Sequence, residues 1–450
     1  MAADGMLPDG TLLRRGEEGY EEAREAAIWN ARKPRRFPAA IALVKSERDV
    51  VAAVRLAREE GLPVSIRSGG HSWFGNCLRE SALLIDLSAL HEVTVDPEAG
   101  LATVQPAVRG LELNDQLAAH GLFFPTGHAP TVGIGGFILG GGYGWNSRTL
   151  GPACLSIAAI DVVLADGELV HADDESHPDL MWAARGCGPG FFGIVTRYHL
   201  RLHPRTPIFR RVLTYPMELH DEILGWALEL EPQLPREVEM SVKVGWSAVQ
   251  DTPAISVAAV GFPPDGEGEA LLEPLGSCPV RPRALTDSFG ETSLAELYAG
   301  SDRWNEPGLR WEVDGIWVDA PTDQVVAAAA TAFDPIPDEH AFVLWMLWGH
   351  HPPRADACWS VQAPLYLSPN AGWRDAADDE VNEGWVDRSI TELSHLSRGV
   401  QFSDANFAAR PDRGLTVENA EQVEEIRRRY DPDGLFNSYL TAETAAGVVR

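Results

Sequence analysis

Positive charge is scarce in this chain: across 450 residues, 37 Lys and Arg face 66 Asp and Glu, leaving a formal net charge of −29. Nucleic acid and anionic membrane surfaces need a basic footprint, so neither is expected as a partner, and the acid excess reads as a well-solvated surface. Cysteine is sparse as well. Cys77, Cys154, Cys187, Cys278 and Cys358 are odd in number, widely scattered and free of any C-x-x-C pair. Neither a disulfide framework nor a structural zinc site follows from that spacing, and no metal is expected. No run reaches the ~18 consecutive apolar residues of a membrane helix. The N-terminal stretch MAADGMLPDGTLLRRGEEGYEEAREA lacks the apolar core of a secretory signal, so a cytoplasmic location is expected.

The length exceeds what one ordinary core supports, and two domains are expected. In the first half, short apolar strands alternate with helices. Ala39–Val44 is a strand; Ser46, with Asp49 three residues on, opens a helix that Gly61 closes; Val64–Arg67 is the next strand. Ala82–Leu87, a hairpin over 93–105 and a second hairpin around Asp166-Gly167 follow, and a strand over Gly193–Leu202 ends this α+β half. Beyond Pro204–Pro207 the strands lengthen (Val238–Trp246, Ala254–Gly261, Phe342–Trp348, Trp359–Leu367), with helices near 218–231, 322–332 and 374–395. Tryptophan is frequent here and reads mainly as sheet core, a few residues being left to line a pocket for a ring-bearing substrate.

Two glycine-dense stretches carry the chemistry. Arg67-Ser68-Gly69-Gly70-His71-Ser72 follows a buried strand, and its glycines let backbone N–H groups approach an anion closely. Thr131–Gly144 (TVGIGGFILGGGYG) is the second, and two such loops in one domain suggest a long, phosphate-bearing cofactor. A Rossmann fingerprint fails on spacing. Counting from Gly133, Gly140 or Gly142, the third glycine position holds Ile138, Trp145 or Ser147. A P-loop fails too, because no Gly-Lys-Ser/Thr follows.

Taken in order, RSGGHS, PTGHAPTVGIGGFILGGGYGWNSRTLG, ADGELVHADDESHPDLMWAARGCGPGFFGIVT and the terminal YDPDGLF resemble the FAD-linked oxidases of the vanillyl-alcohol oxidase and p-cresol methylhydroxylase superfamily, in its berberine-bridge-enzyme-like branch. The likeness covers the first half and the last fifty residues, and the middle in outline. It implies an α+β fold: a two-subdomain FAD-binding domain (residues 1–206 and 400–450) and an inserted substrate domain (207–399) of antiparallel sheet covered by helices. It also implies that Arg67, Ser68, Gly69, Gly70, His71 and Ser72 wrap the FAD pyrophosphate, with His71 joined covalently to the flavin. Val132, Gly133, Gly136, Gly142 and Gly144 would line the second wall, Ile194 and Val195 would meet the adenine end, and Asn437 and Tyr439 would lie where the chain returns along the flavin.

Two positions depart from the branch pattern. Many members attach FAD a second time through a cysteine in Gly-x-Cys-Pro; here the segment is Gly127-His128-Ala129-Pro130, and Cys77 reads as a small buried side chain near the cofactor. The usual tyrosine base is replaced as well, since Gly399-Val400-Gln401-Phe402-Ser403-Asp404 puts Phe402 at its position. Tyr439, with Tyr366 behind it, is the expected substitute. The implied function is hydride transfer from a small organic substrate (a sugar, alcohol or secondary metabolite) to flavin, with oxygen as acceptor. A dehydrogenase, a cyclase or desaturase, and a flavoprotein that binds without turnover are the alternatives. Substrate identity and oligomeric state are not legible.

Overall fold

A computed structural model describes residues 7–439 apart from 248, 250, 251 and 303. Its N-terminal part is a four-stranded sheet in the order Thr11–Arg14, Ala40–Leu43, Leu83–Asp86, Val64–Arg67, the last three strands parallel. Parallel strands need a crossover, and the helix Glu47–Glu60 supplies the one from Ala40–Leu43 to Val64–Arg67, between which Leu83–Asp86 is inserted. The Ser46 hydroxyl accepts from the Asp49 N–H, Gly61 ends the helix at φ +66°, and Val50, Ala53, Val54 and Ala57 are fully buried on one face. A second sheet of five antiparallel strands follows, ordered Val93–Asp96, Leu101–Val104, Ile194–Arg201, Ile157–Val163, Leu169–Ala172.

The middle of the chain builds a nine-stranded antiparallel sheet. Its central strands are Ile208–Pro216, Thr252–Gly261, Val238–Ser247, Phe342–Leu347 and Leu365–Trp373, in that spatial order. Alternation sorts the side chains. Val242, Val257, Val343 and Leu367 share a core with Ile223, Val325 and Trp385 of the helices His220–Leu230, Thr322–Ala332 and Asp379–Leu393. Their neighbours Ser241, Lys243, Ser256, Leu344, Met346, Tyr366 and Ser368 face the other way, into a cavity.

One expected strand is misplaced. The run Trp359–Leu367 becomes a strand only from Leu365, because Trp359 and Cys358 donate their N–H groups to Arg185 and Trp182 and pack into the core of the five-stranded-sheet half. The strands Ile208–Pro216 and Thr286–Thr292, not among those expected, pair antiparallel with each other, and the first also pairs with Thr252–Gly261. Among the described residues no helix is long and apolar enough to cross a membrane.

The end of the chain returns to the first sheet. Val64 N–H donates to Leu435 O at 2.7 Å, and Asn437 N–H donates to Val64 O at 2.8 Å. Buried Asp431 receives the N–H groups of Leu435 (2.7 Å) and Phe436 (3.0 Å), which fixes the turn. Phe436 then fills the core beneath the first sheet with Val64, Leu83 and Ile85. Phe436→Ala is expected to cost ~3–5 kcal/mol, read as a drop in the denaturant midpoint, because a large ring is lost from a close-packed site. A drop below ~1 kcal/mol would show that this return strand does not support the sheet.

Candidate functional site

The two glycine loops meet backbone to backbone. A Cβ placed on Gly69 would lie 2.7 Å from the Gly133 nitrogen, and one on Gly133 would lie 2.8 Å from the Gly69 Cα. Gly70 sits at φ +72°, where a Cβ would strike Ala27 O at 2.5 Å. The glycines therefore bring two main chains together without intervening side chains. Beside this junction opens a cavity of about 1020 Å³, roofed by the alternating face of the nine-stranded sheet.

All of Arg67–Ser72 lines this cavity, together with Val132, Gly133, Gly136, Val195 and Asn437. Gly136 has open space where a side chain would be, and the buried Asn437 Nδ2 has no hydrogen-bond partner among the described residues. These features fit a long cofactor lying along the loops. Four expected residues stand outside the lining, one of them Tyr439. Gly142 packs on Phe137 and Ala153, Gly144 lies beneath Thr126 O, and Ile194 is turned into the core with Val163 and Phe436. Arg67 is held by Asp86 at 3.1 Å.

His71 is the most constrained group of the first loop. Its ring stacks on Trp29 (centroids 4.8 Å apart, 23° between planes), and its Nε2 lies 2.9 Å from Thr131 Oγ1. Burial, with help from Arg109 and Arg67, lowers its pKa to about 4, so the imidazole is neutral at pH 7. With Nε2 engaged by Thr131, Nδ1 is the nitrogen without a partner among the described residues. Ala129 and Cys77 also border the cavity; burial pushes the Cys77 thiol up to about 11, which keeps it protonated.

A hydrogen-bonded pair also lines the cavity. Tyr366 OH donates to Asp404 Oδ2 at 2.7 Å, and Trp73 Nε1, two residues beyond His71, donates to Asp404 Oδ1 at 2.9 Å. Burial raises the Asp404 carboxyl above the ordinary range despite those two donors, and raises Tyr366 well above an ordinary phenol. Tyr439 is elsewhere. Its hydroxyl donates to Cys187 O at 3.1 Å, and its ring stacks at 5.3 Å behind Phe402, which does border the cavity. Phe402 is wedged so tightly that a Cβ on Gly188 or Gly414 would come within 2.7 or 2.4 Å of its ring. The geometry thus brings Tyr366, and not Tyr439, to the cavity.

Sequence reasoning missed Thr131, Asp404 and Glu239. The first two lay inside motifs already singled out but carried no role. Glu239 was legible from alternation, since Val238-Glu239-Met240-Ser241-Val242-Lys243 puts Glu239, Ser241 and Lys243 on one face. Burial pushes Glu239 up to about 8, against the pull of the Asn146, Ser147 and Arg148 main-chain N–H groups.

Known proteins share this architecture. Residues 38–173 match the family described as FAD binding domain. The chain is 31% identical over 428 residues to the FAD-linked oxidoreductase nodO of Hypoxylon pulicicidum, covering 94% of this chain and 95% of that protein. Its fold superposes with a TM-score of 0.86 on 6-hydroxy-D-nicotine oxidase from Arthrobacter nicotinovorans, at 23% identity, covering 97% of this chain and 99% of that one. It superposes with a TM-score of 0.83 on BBE-like 1 of Physcomitrella patens, at 19% identity and 96% coverage of both chains.

Proposed function

Because this chain belongs to the FAD-linked oxidoreductases of the vanillyl-alcohol oxidase and p-cresol methylhydroxylase superfamily, we propose that it oxidises a small organic substrate, with FAD held covalently by His71 and reoxidised by oxygen. The observation that carries this reading is that His71 and the hydrogen-bonded Tyr366–Asp404 pair line one cavity. FAD, when bound, accepts hydride from a substrate C–H and passes the electrons on.

The chain's own residues do the rest. Main-chain groups of Arg67–Ser72, Val132, Gly133 and Gly136 hold the cofactor, Asn437 offers its free amide, and Ile194 and Val195 serve the adenine end, Val195 from the lining and Ile194 from behind it. Tyr366 takes the substrate hydroxyl proton while giving its own to the Asp404 carboxylate, so one proton moves at each oxygen and no phenolate accumulates. Val212, Leu344 and Met346 exclude water on the sheet side. In this reading residues 1–206 and 400–450 serve the cofactor and 207–399 the substrate; residues 1–6 and 440–450 lie outside those described.

Peroxide release measured against a panel of alcohols, sugars and polyphenols tests the activity. Peroxide stoichiometric with product supports an oxidase. Dye reduction without peroxide would replace oxygen by another acceptor, and no turnover of any class would leave a binding flavoprotein. Tyr439→Phe is expected to keep kcat within about twofold and to lose ~0.5–1.5 kcal/mol of stability, because the buried Cys187 carbonyl loses one of its two donors and keeps the Gly190 N–H. A large fall in kcat with flavin content intact would return Tyr439 to the role of base.

A further inference from the structure

A second constellation lies on the five-stranded sheet, outside the cavity. Asp161 occupies the strand Ile157–Val163; His171 is its cross-strand partner on one side, and His199 rises from the strand on the other side, two residues beyond Asp161's partner Arg197. One ligand atom from each of Asp161, His171 and His199 lies within 4.8 Å of the other two. The inner nitrogens face the carboxylate: His171 Nδ1 is 2.6 Å from Oδ1, and His199 Nε2 is 3.4 Å from Oδ2.

The outer nitrogens each face an oxygen of their own. His199 Nδ1 lies 3.0 Å from Thr103 Oγ1, and His171 Nε2 lies 3.9 Å from Asp173 Oδ2. At hydrogen-bond distance, as at Thr103, such an oxygen fixes the tautomer and ring direction of a metal-ligating imidazole and leaves the inner lone pair to the ion, whereas Asp173 at 3.9 Å contributes charge only. The nearby cation Arg197, 3.7 Å from Asp161, is itself paired with Glu47 at 2.7 Å. With Asp161, Asp173 and Glu47 against Arg197, the local balance of charge favours a cation.

We propose that Asp161, His171 and His199 bind a divalent transition-metal ion of the zinc class, with water completing the coordination. Two imidazoles and one carboxylate suit zinc, nickel or copper, whereas magnesium and calcium prefer oxygen throughout. The ion ties together three adjacent strands of the sheet that carries Val195 to the cavity, and it acts on stability and not on the redox step. No metal-ligand spacing is visible along the chain because the three ligands come from three strands, brought together by cross-strand register.

The experiment uses the full-length flavoprotein, free of any affinity tag and stripped with chelator, then titrated with zinc and measured for bound metal and Tm. Wild type should bind one zinc more than His199→Ala or Asp161→Asn, and should gain Tm with zinc where those variants do not. Magnesium should do neither. Thr103→Val should weaken zinc binding about 10- to 100-fold, and Thr103→Ser should restore it. The half-exposed His171→Gln is the control against misfolding, since it removes a ligand at the surface and should also lose the extra zinc. Equal zinc content and equal Tm gain in wild type and all ligand variants would overturn the proposal, as would failure of wild type to bind zinc at ~1 mM.

Discussion

Replacing His71 with alanine is expected to release the flavin. Wild-type protein precipitated in acid should carry its yellow colour into the pellet, whereas the His71→Ala pellet should be colourless and its supernatant yellow. The reasoning starts from the protonation state. A nitrogen that bonds carbon must offer a lone pair, and burial with Arg109 and Arg67 lowers the His71 pKa to about 4, so a neutral ring is present throughout the physiological range. Thr131 occupies Nε2, which leaves Nδ1 to form the bond. With no cysteine at position 129 and a protonated, buried Cys77, no second attachment replaces the first. The loss should therefore be complete rather than partial. Flavin washed from the wild-type pellet would rule out the covalent bond altogether, and retention of colour in His71→Ala would place the attachment on another residue.

Removing either member of the Tyr366–Asp404 pair is expected to lower kcat by about 100- to 10,000-fold, the usual contribution of a well-placed general base. Tyr366→Phe and Asp404→Asn should both retain flavin content, because neither side chain belongs to the glycine loops. The double variant should be little worse than either single one, since the two oxygens pass one proton as a unit. Acid dependence follows from the direction of the Asp404 shift. The pair accepts a proton only while Asp404 is ionised, so activity is present above its pKa and lost as pH falls through it. Burial raises that pKa, and the acid limb of kcat should accordingly lie above the ordinary carboxylate range. Asp404→Asn should abolish that limb along with most of the rate. Normal turnover in both variants would remove the pair from the mechanism.

Much of this was legible without coordinates. Ser46, Gly61, the 46–61 helix and the flanking strands followed from capping and local turn chemistry, which act within a few residues. The two glycine loops and His71 were legible for the same reason: a chain that must approach an anion or another backbone shows it as missing side chains. The cofactor class followed from motif order, and Ala129 and Phe402 stood out as departures by simple substitution.

Tertiary structure decided what depends on distant residues. Tyr439 and Tyr366 are both tyrosines in apolar surroundings, and sequence cannot tell which hydroxyl reaches the cavity. Packing decides it, with Phe402 clamped by Gly188 and Gly414 and Tyr439 stacked behind. Asp404 acquires its role only because Trp73 and Tyr366, 331 and 38 residues away in sequence, converge on its two oxygens. Gly142 and Gly144 belong to the same glycine-rich run as Gly133, yet close contacts with Phe137 and Thr126 turn them away from the cavity. The sequence by itself determined the backbone shapes, the cofactor class and the chemical menu of side chains, because propensity and glycine geometry are local. The register of the nine-stranded sheet and the docking of the two halves determined which of those side chains meet, because burial and hydrogen bonding between remote residues exist only once the chain is folded.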